Sequence, residues 1–365
     1  MNSKTKLESL DSNRANPKNT KNLFRLKILG AVLTFFGLGL FAYFVYSVGI
    51  GEIFKGILNI GAGGFAFILL VYFLRIAMRA SAWRLCVAAP HKLKLRDTLP
   101  AVIIGEALSS LIPLGILISG TSKVVAVRNR VPLVVGLSSV ATENLFYSFV
   151  TGLFIIFGAI AFLFNSELEA SWVAMIYALI SLIFGLIAFA LLAIIRQWHL
   201  FSNFCSWLYR RHFWRGILEN GRGQALLFEN LIFGFYRQYP RRFASIFLFQ
   251  ILFHALGVLE VWFILSRISD ALPSFKSSFL LESISRLITI VFKLVPFLIG
   301  VDEAGAQVIT NALALGAGVG VTIGIIRKGR ILFWTAIGLI LIFTRGISLS
   351  EIKELTNKLH ISKAA

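Results

Sequence analysis

Long apolar runs separated by short polar segments dominate the chain. Five runs contain no Asp, Glu, Lys or Arg, and each has roughly the 17 to 25 residues that a helix needs to cross about 30 Å of hydrocarbon. The run 243–266 is interrupted only by His254 and Glu260, and 331–344 is a shorter run bounded by arginines that can snorkel to the two surfaces. The pattern predicts an all-α, polytopic membrane protein with about seven transmembrane helices. The five uninterrupted runs are 28–51, 56–74, 144–166, 170–195 and 304–326.

Two other apolar segments are broken by proline and glycine. Basic residues flank both ends of 98–122, which contains Pro113, so both ends are expected on the same side of the membrane. The segment 273–300, with Pro296 and Gly300, lies between a run that leaves the cytoplasm and a run that returns to it. A proline break allows a segment to dip into the membrane and return, provided that neighbouring helices cover the freed backbone groups. We therefore expect two re-entrant hairpins.

The order of these elements repeats along the chain. A unit of helix, hairpin, helix and helix over 56–195 is followed by a second unit in the same order over 243–344, and the loop charges place the second unit upside down. Inverted repeats are typical of membrane transporters, whose substrates bind between the two units. Together the units predict one membrane domain over 23–347. The remaining segments are a disordered cytoplasmic tail, a basic interfacial linker and a short second tail, at 1–22, 196–242 and 348–365.

Composition and charge agree with a membrane location. The chain is 57% hydrophobic and 15% charged, which leaves too little polar surface for a soluble domain of 365 residues. Its net charge of +19 is concentrated beside the apolar runs, as the positive-inside rule requires of cytoplasmic loops. We expect a multi-pass protein of the cytoplasmic (inner) membrane with a cytoplasmic N-terminus, anionic lipid at the basic loops and no nucleic-acid partner. Cys86 and Cys205 are too few for a disulfide framework.

The second broken segment carries a stripe of polar side chains. Glu282, Arg286, Thr289 and Lys293 follow one another at spacings of four, three and four, which places them on one helical face. Such a face inside an apolar segment indicates water or a polar ligand, whereas an internal Glu282–Arg286 ion pair is the structural alternative. Lys293 has no evident local partner, so it is the better candidate for a phosphate or another anionic headgroup.

Further candidates for headgroup binding lie in the first unit. Glu106 lies in the middle of the first broken segment, and an ion pair with a nearby arginine is its alternative role. Lys123 follows the same segment. Snorkelling to the membrane surface explains Arg75, Arg79 and Arg84, with headgroup contact as the alternative.

Three carboxylates are candidates for proton or cation coupling. Glu143 lies about half-way through its apolar segment, and a carboxylate at that depth needs a partner or a proton. Asp302 and Glu303 follow Gly300 at the start of an apolar helix, where acidic residues are ordinary capping and dipole partners. Coordination of a proton or cation is the alternative for this pair.

Two patterns indicate packing. Gly316, Gly320 and Gly324 recur every four residues, which is typical of a face where two helices approach closely. In the linker 196–242, aromatic residues alternate with arginines, as in helices that lie in the membrane interface.

Motifs for common enzyme chemistry are missing from the sequence. It contains no GxxxxGK[ST] phosphate loop, no HExxH zinc motif and no paired Asp-x-Asp. We therefore predict no metal site and no cofactor, and ATP-driven transport and common transferase chemistry have no support.

The sequence resembles the family of lysylphosphatidylglycerol synthase transmembrane regions, also called flippase-like domains, which includes hopanoid-associated members. Where the family usually shows paired glycines followed by Glu and Arg after the first proline, this chain has ISGTSK at 118–123. The resemblance spans most of the chain, roughly residues 23–347. It rests on RASAWR at 79–84, IGEALSSLIPLGILISG at 104–120, VPLVVGLSSVATEN at 131–144 and PFLIGVDEAGA at 296–306.

The resemblance implies lipid handling, because the aminoacyl-transferring part of such synthases is a separate soluble domain that we do not expect here. We expect a lipid translocator rather than an enzyme: an amphiphilic lipid with a polar or phosphate headgroup enters between the two units and leaves across the bilayer. One alternative is a membrane enzyme that modifies a lipid headgroup, with Asp302, Glu303 or Glu143 as acid or base. Another is an accessory scaffold on which enzymes of lipid synthesis dock.

Overall fold

The structure is a computed structural model that describes Tyr46 and residues 50–111, 115–164, 170–210, 215–269, 274–292, 300–316 and 318–344. Within these ranges the chain forms α-helices and one short 3-10 turn, with no β-strand. The helices are α1 Ile50–Leu85, α2 Leu95–Leu111, α3 Gly115–Ala126, α4 Leu133–Leu163, α5 Ala170–Ile195, α6 Leu200–Arg210, α7 Arg215–Gln238, α8 Phe243–Ile268, α9 Phe275–Val291, α10 Val301–Ala312 and α11 Val319–Thr344.

The prediction of an all-α, polytopic membrane protein is confirmed. Four stretches of the described chain are long and apolar enough to cross a membrane, and they lie in α1, α4, α5 and α8. The first predicted run, 28–51, lies almost entirely outside the described residues. The four stretches are Ile57–Leu85, Leu133–Leu163, Val173–Ile195 and Pro240–Ile268.

Helix α1 extends further than the charge pattern predicted. We expected the second apolar run to end before Arg75 and a basic loop to follow, but α1 continues as far as Leu85. Arg75 is only 1% exposed, and Arg79 is partly buried. The snorkelling explanation of Arg75 is therefore wrong, because its guanidinium finds carboxylate partners inside the protein. A break in the same helix lies near its start, where Gly61 adopts φ 63° and ψ 176°.

Helices α1 and α8 pack side by side in opposite directions. Phe67 meets Phe263 with ring centroids 4.5 Å apart, and Ala82, two helical turns further along than Arg75, shares a core cluster with Ile246. Arg75 itself reaches Glu260 at 2.9 Å. Residue numbers rise along α1 while those of its partners fall along α8, so the two helices are antiparallel.

The remaining contacts form matched pairs. We name helices α1 to α5 the first half of the molecule and helices α8 to α11 the second half. Helix α2 packs against α11, and α9 packs against α4, so each of these short helices contacts a long helix of the other half. A Cβ at Gly338 of α11 would overlap Ala107 of α2, and one at Gly158 of α4 would overlap Ser283 of α9. In the same way α1 contacts both α2 and α11, while α8 contacts both α9 and α4.

The predicted crossing at 304–326 is wrong. Helix α10 ends at Ala312, and a turn that includes Ala314 and Gly316, both with positive φ, leads to α11. Helix α11 then runs without interruption from Val319 through the basic residues to Thr344. The charges that marked a loop in the sequence therefore lie within one helix.

The predicted glycine contact between helices is confirmed at two of its three positions. A Cβ at Gly320 would overlap the backbone of Gln307 in α10, and one at Gly324 would overlap Glu303. Gly316 lies in the preceding turn with φ 113°. The short α10 and the start of α11 are thus held in close contact, which fixes the carboxylates at the beginning of α10.

The linker forms two helices, α6 and α7, whose apolar and polar residues occupy opposite faces. The carboxylate of Glu229 in α7 accepts hydrogen bonds from the backbone of Phe201 at 2.7 Å and from the Ser202 hydroxyl at 2.6 Å. This side chain therefore caps the start of α6 and holds the two helices together. Trp198, Phe204 and Trp207 remain exposed, as the prediction of interfacial helices requires.

Candidate functional site

A cavity of about 820 Å³ lies between the two halves of the molecule. Its walls come mainly from α1, both arms of the α2–α3 pair, α4, α5, α9 and α11, with further side chains from α7, α8 and α10. This volume is within the range of binding sites for small molecules. Five cations and two carboxylates line it: Arg79, Lys123, Arg286, Arg327, Arg330, Glu106 and Asp302.

The first group of buried charges, the Arg79 cluster, joins α1 to α2, α4 and α8. Arg79 donates to Glu106 at 2.7 Å and to both oxygens of Glu143 at 3.3 Å. Gln250 donates to the same Glu143 carboxylate at 3.1 Å. The Arg79 guanidinium also lies over the Tyr147 ring, 4.6 Å from its centroid. One arginine thus balances two carboxylates, and the cluster fastens four helices together.

The second group, the Glu282 cluster, has the opposite balance. Glu282 is 1% exposed and accepts from three arginines: Arg75 at 3.1 Å, Arg286 at 2.9 Å and Arg327 at 2.8 Å. Glu260 pairs with Arg75 at 2.9 Å and with Arg330. Four arginines therefore share two glutamates at the junction of α1, α8, α9 and α11.

Asp302 and Glu303 extend this second group at the start of α10. Glu303 accepts from the backbone N–H of Gly300 at 2.8 Å, so it caps its own helix as the structural explanation predicted. The Glu303 carboxylate also lies 3.3 Å from the Lys328 ammonium. Asp302 lies 3.6 Å from Arg327, so these carboxylates tie α10 to α11 by charge as well as by packing.

Electrostatics explains why these charges occur as clusters. A lone ionised side chain in a low-dielectric interior is costly, whereas a paired and hydrogen-bonded charge is tolerated. With Lys123, Lys328, Asp302 and Glu303 added to the two clusters, seven basic side chains stand against six carboxylates in this part of the described chain. Cations outnumber carboxylates by more at the cavity wall than in this whole set, because Glu282, Glu143 and Glu260 do not line the cavity. The surface that faces the cavity is therefore suited to an anion.

The structure brings most of the predicted site residues together. Arg286, Glu106, Lys123 and Asp302 line the cavity, and Glu282 and Glu143 lie directly behind the first two. Both structural alternatives that the sequence left open for Glu282 and Glu106 occur, since each carboxylate is paired with an arginine. Glu303 and Gly300 lie at the start of α10, away from the cavity wall.

Other predicted residues lie elsewhere. Arg84 is exposed near the end of α1 and does not line the cavity. Lys293, Pro113 and Pro296 lie outside the described residues. The hairpin breaks and the predicted headgroup role of Lys293 stay predictions.

Sequence reasoning missed several charged residues of the site. Arg75 and Arg79 were assigned to the membrane surface, and Arg327 and Arg330 to a loop. Glu260 was noted only as an interruption of an apolar run. The signal that could have found them is their position within segments of membrane-spanning length, because an ionisable residue at such depth is normally paired and functional.

No group of three His, Cys, Asp or Glu side chains that could hold a metal ion occurs among the described residues. The two clusters instead pair carboxylates with arginines, which occupies the oxygen atoms that a cation would need. The arrangement can hold an anionic group against guanidinium donors in the cavity wall.

Comparison with known proteins agrees with the resemblance in the sequence. The sequence profile of the family described as Lysylphosphatidylglycerol synthase TM region matches residues 27–339. No curated protein and no solved structure matches the chain significantly. The match includes every element that contributes to the two clusters and to the cavity wall. The chain therefore belongs to the family of lysylphosphatidylglycerol synthase transmembrane regions.

Proposed function

We propose that this protein is a lipid translocator that binds the anionic headgroup of an amphiphilic lipid in the cavity between its two halves. The observation that carries the proposal is the charge of the cavity wall, where Arg286 and Arg327 stand among five cations and only two carboxylates. Guanidinium groups bind phosphate through paired hydrogen bonds, and an anion placed there offsets the cost of burying them.

The packing of the helices supports an inverted repeat and, with it, a translocation mechanism. The packing of the helices is unchanged when α1, α2, α3 and α4 are exchanged with α8, α9, α10 and α11. Because the exchange partners α1 and α8 are antiparallel, a two-fold axis that relates the halves lies across these helices rather than along them. An axis of that kind inverts one unit relative to the other in the membrane, and inverted units favour two related conformations.

Two close helix contacts at glycines are candidates for the gates that such a mechanism needs. Gly158 of α4 meets Ser283 of α9, and Gly338 of α11 meets Ala107 of α2. Each contact joins a long helix of one unit to a short helix of the other. In our proposal the two contacts open in turn, so that the cavity faces each side of the membrane alternately.

The sidedness follows from the basic segments. We infer that the N-terminus, the loop after α1 and the linker 196–242 face the cytoplasm of the inner membrane, because these segments carry most of the excess positive charge. The α2–α3 pair is then a re-entrant hairpin whose two ends reach the same surface. Single cysteines in place of Lys94 and Asn129, both exposed, test this inference. Both should react with an impermeant thiol reagent only from the cytoplasmic side, and labelling from opposite sides would contradict the hairpin.

An enzymatic role has less support. The carboxylates that could serve as acid or base, Glu143, Asp302 and Glu303, are all engaged in ion pairs or in capping. We therefore propose transport rather than headgroup chemistry. The docking of lipid-synthesis enzymes on the linker stays a separate hypothesis.

A comparison of two arginines tests headgroup binding. Arg286 and Arg75 both pair with Glu282, but only Arg286 lines the cavity. In Arg286→Met, Glu282 retains two arginine partners, so the protein should fold while its affinity for an anionic phospholipid falls at least about tenfold, which corresponds to the loss of one charge-assisted hydrogen bond. Translocation of a fluorescent phosphatidylglycerol in proteoliposomes should fall in parallel.

Arg75→Met is the matched control for this experiment. It should lower the melting temperature, because Arg75 is buried between Glu260 and Glu282, but change lipid affinity much less. Equal losses of affinity in the two variants would remove the cavity wall from headgroup binding. Unchanged translocation by a well-folded Arg286→Met protein would contradict the proposed function.

A further inference from the structure

The cavity has an apolar end that the charged residues do not explain. One face of α5 lines it over four helical turns, with apolar side chains at spacings of three or four residues. This face belongs to a helix in which no residue of Val173–Ile195 is buried within the protein. The residues of this face, which we name the α5 stripe, include Leu179, Leu182, Leu186, Ala190 and Ile194.

Helix α5 meets α4 closely at one point. A Cβ at Gly152 of α4 would lie 2.8 Å from Ile187 and 3.2 Å from Ile183, so the glycine permits a close approach there. All three residues line the cavity. We call this part of the cavity the trough: the α5 stripe lines it from α5, and Phe149 and Ile155 line it from α4.

The trough and the arginines belong to one continuous cavity. The end of α9 connects them, because Arg286 and the apolar Ile290 both line this cavity, one helical turn apart. Ile290 is 53% exposed, so the connection lies at the surface of the protein rather than in its core. A ligand that fills both ends has an anionic group at one end and a long apolar part at the other.

We propose that the trough between α4 and α5 is a subsite for the acyl chain of an anionic phospholipid, which reaches the cavity sideways from the bilayer. This inference rests on the proposed function and deepens it by placing the two parts of the lipid. In a membrane the outer face of α5 meets bulk lipid, so an acyl chain passes from the bilayer into the trough without crossing water. A soluble phosphate compound has no apolar part for the α5 stripe and binds the arginines alone.

Photochemical labelling of the full-length protein in lipid nanodiscs tests this subsite. The probe is a phosphatidylglycerol with a diazirine near the end of one acyl chain, and mass spectrometry locates its adducts on α5. We expect adducts on Leu182 and Leu186 that unlabelled phosphatidylglycerol competes away. Adducts on Phe184 and Leu192, which are exposed but do not line the cavity, should resist competition because they report bulk lipid.

Two alanines of α5 provide matched variants. Ala190 lines the cavity and Ala188 does not, although both are partly buried. Ala190→Trp should fill the trough and reduce the competed adducts at least about tenfold, equivalent to excluding about two methylene groups. Ala188→Trp should leave them unchanged.

The outcomes separate this inference from the proposed function. Competed adducts on the α5 stripe without any translocation would support the subsite while contradicting the proposed function. Equal competition on both faces of α5 would overturn the subsite, as would equal effects of the two tryptophan variants. Protection by glycerol phosphate as strong as by phosphatidylglycerol would also overturn it, because the chain would then add nothing to binding.

Discussion

The Arg79 cluster and the Glu282 cluster are built from the same residue types in opposite proportions. In the first, Arg79 lies between two glutamates, and Gln250 fills a remaining acceptor position. In the second, four arginines share Glu282 and Glu260. The first cluster therefore has one carboxylate in excess, and the second has two guanidinium groups in excess.

The difference in charge between the two clusters originates in two long helices, one from each half of the molecule. Helix α4 supplies Glu143, whereas α11 supplies Arg327, Lys328 and Arg330. Of these two long helices, α4 thus contributes an acidic side chain to the buried charges and α11 contributes basic ones. At the cavity wall the Glu282 cluster contributes three arginines and no carboxylate, whereas the Arg79 cluster contributes Arg79 together with its partner Glu106. The Glu282 cluster is therefore suited to hold an anionic headgroup, and the Arg79 cluster is suited to fasten helices.

The largest expected effect follows from the loss of the shared carboxylate. Glu282→Gln would leave three buried arginines around a neutral amide, and we expect the free energy of unfolding to fall by about 3–5 kcal/mol. Thermal unfolding in detergent measures the loss. Glu106→Gln is the control from the other cluster, because its side chain is 30% exposed and Arg79 retains Glu143. Equal destabilisation by the two variants would contradict the contrast between the clusters.

A valine at each of the two glycine contacts should have an effect of intermediate size, and the two variants form a matched pair. Gly338→Val should separate α2 from α11, and Gly158→Val should separate α4 from α9, each with an overpacking cost of about 1–3 kcal/mol. A reporter cysteine at Ser110 in the cavity wall, with Cys86 and Cys205 replaced by serine, measures access from each side. We expect the two valine variants to increase labelling from opposite sides. If both variants increased labelling from the same side, the proposal that the two contacts open in turn would be ruled out.

Glu143→Gln should have a smaller effect on stability and a selective effect on function. The amide retains the shape of the side chain, and Arg79 keeps its partner Glu106, so we expect a loss of about 1–2 kcal/mol. If Glu143 couples a proton or cation to transport, translocation should fall and lose its dependence on pH or on the cation. A variant that folds poorly but moves lipid normally would assign Glu143 to structure alone.

The smallest effect is expected at Arg84. This arginine is exposed and lies outside both clusters and the cavity wall. Arg84→Ala should therefore leave both the melting temperature and translocation unchanged within error. A clear loss of translocation would restore the headgroup role that its sequence context suggested, and would extend the site beyond the cavity.

Local patterns in the sequence predicted those contacts that are themselves local. The spacing of Glu282 and Arg286 placed them within reach on one helix, and the structure pairs them. The acidic residues after Gly300 indicated a helix start, and Glu303 caps it. Gly320 and Gly324 predicted a close helix contact, and they meet α10.

A charged residue led to a wrong helix boundary wherever its ion-pair partner lay far away in the chain. Arg75 ended a predicted helix, but its partner Glu260 is 185 residues distant. Arg327 likewise suggested a loop, while Glu282, 45 residues earlier, neutralises it. A hydropathy pattern treats each such residue as unpaired, and an unpaired charge belongs at the membrane surface.

The sequence by itself determined that the chain is a bundle of apolar helices and which family it resembles. These properties follow from hydrophobicity and from spacings within one or two helical turns, and the physical forces behind them act along the chain. Only the tertiary structure decided which charges are buried, because burial of a charge depends on a compensating partner from another helix. It also decided that the buried charges form two clusters with opposite excesses, and that cations outnumber carboxylates at the cavity wall.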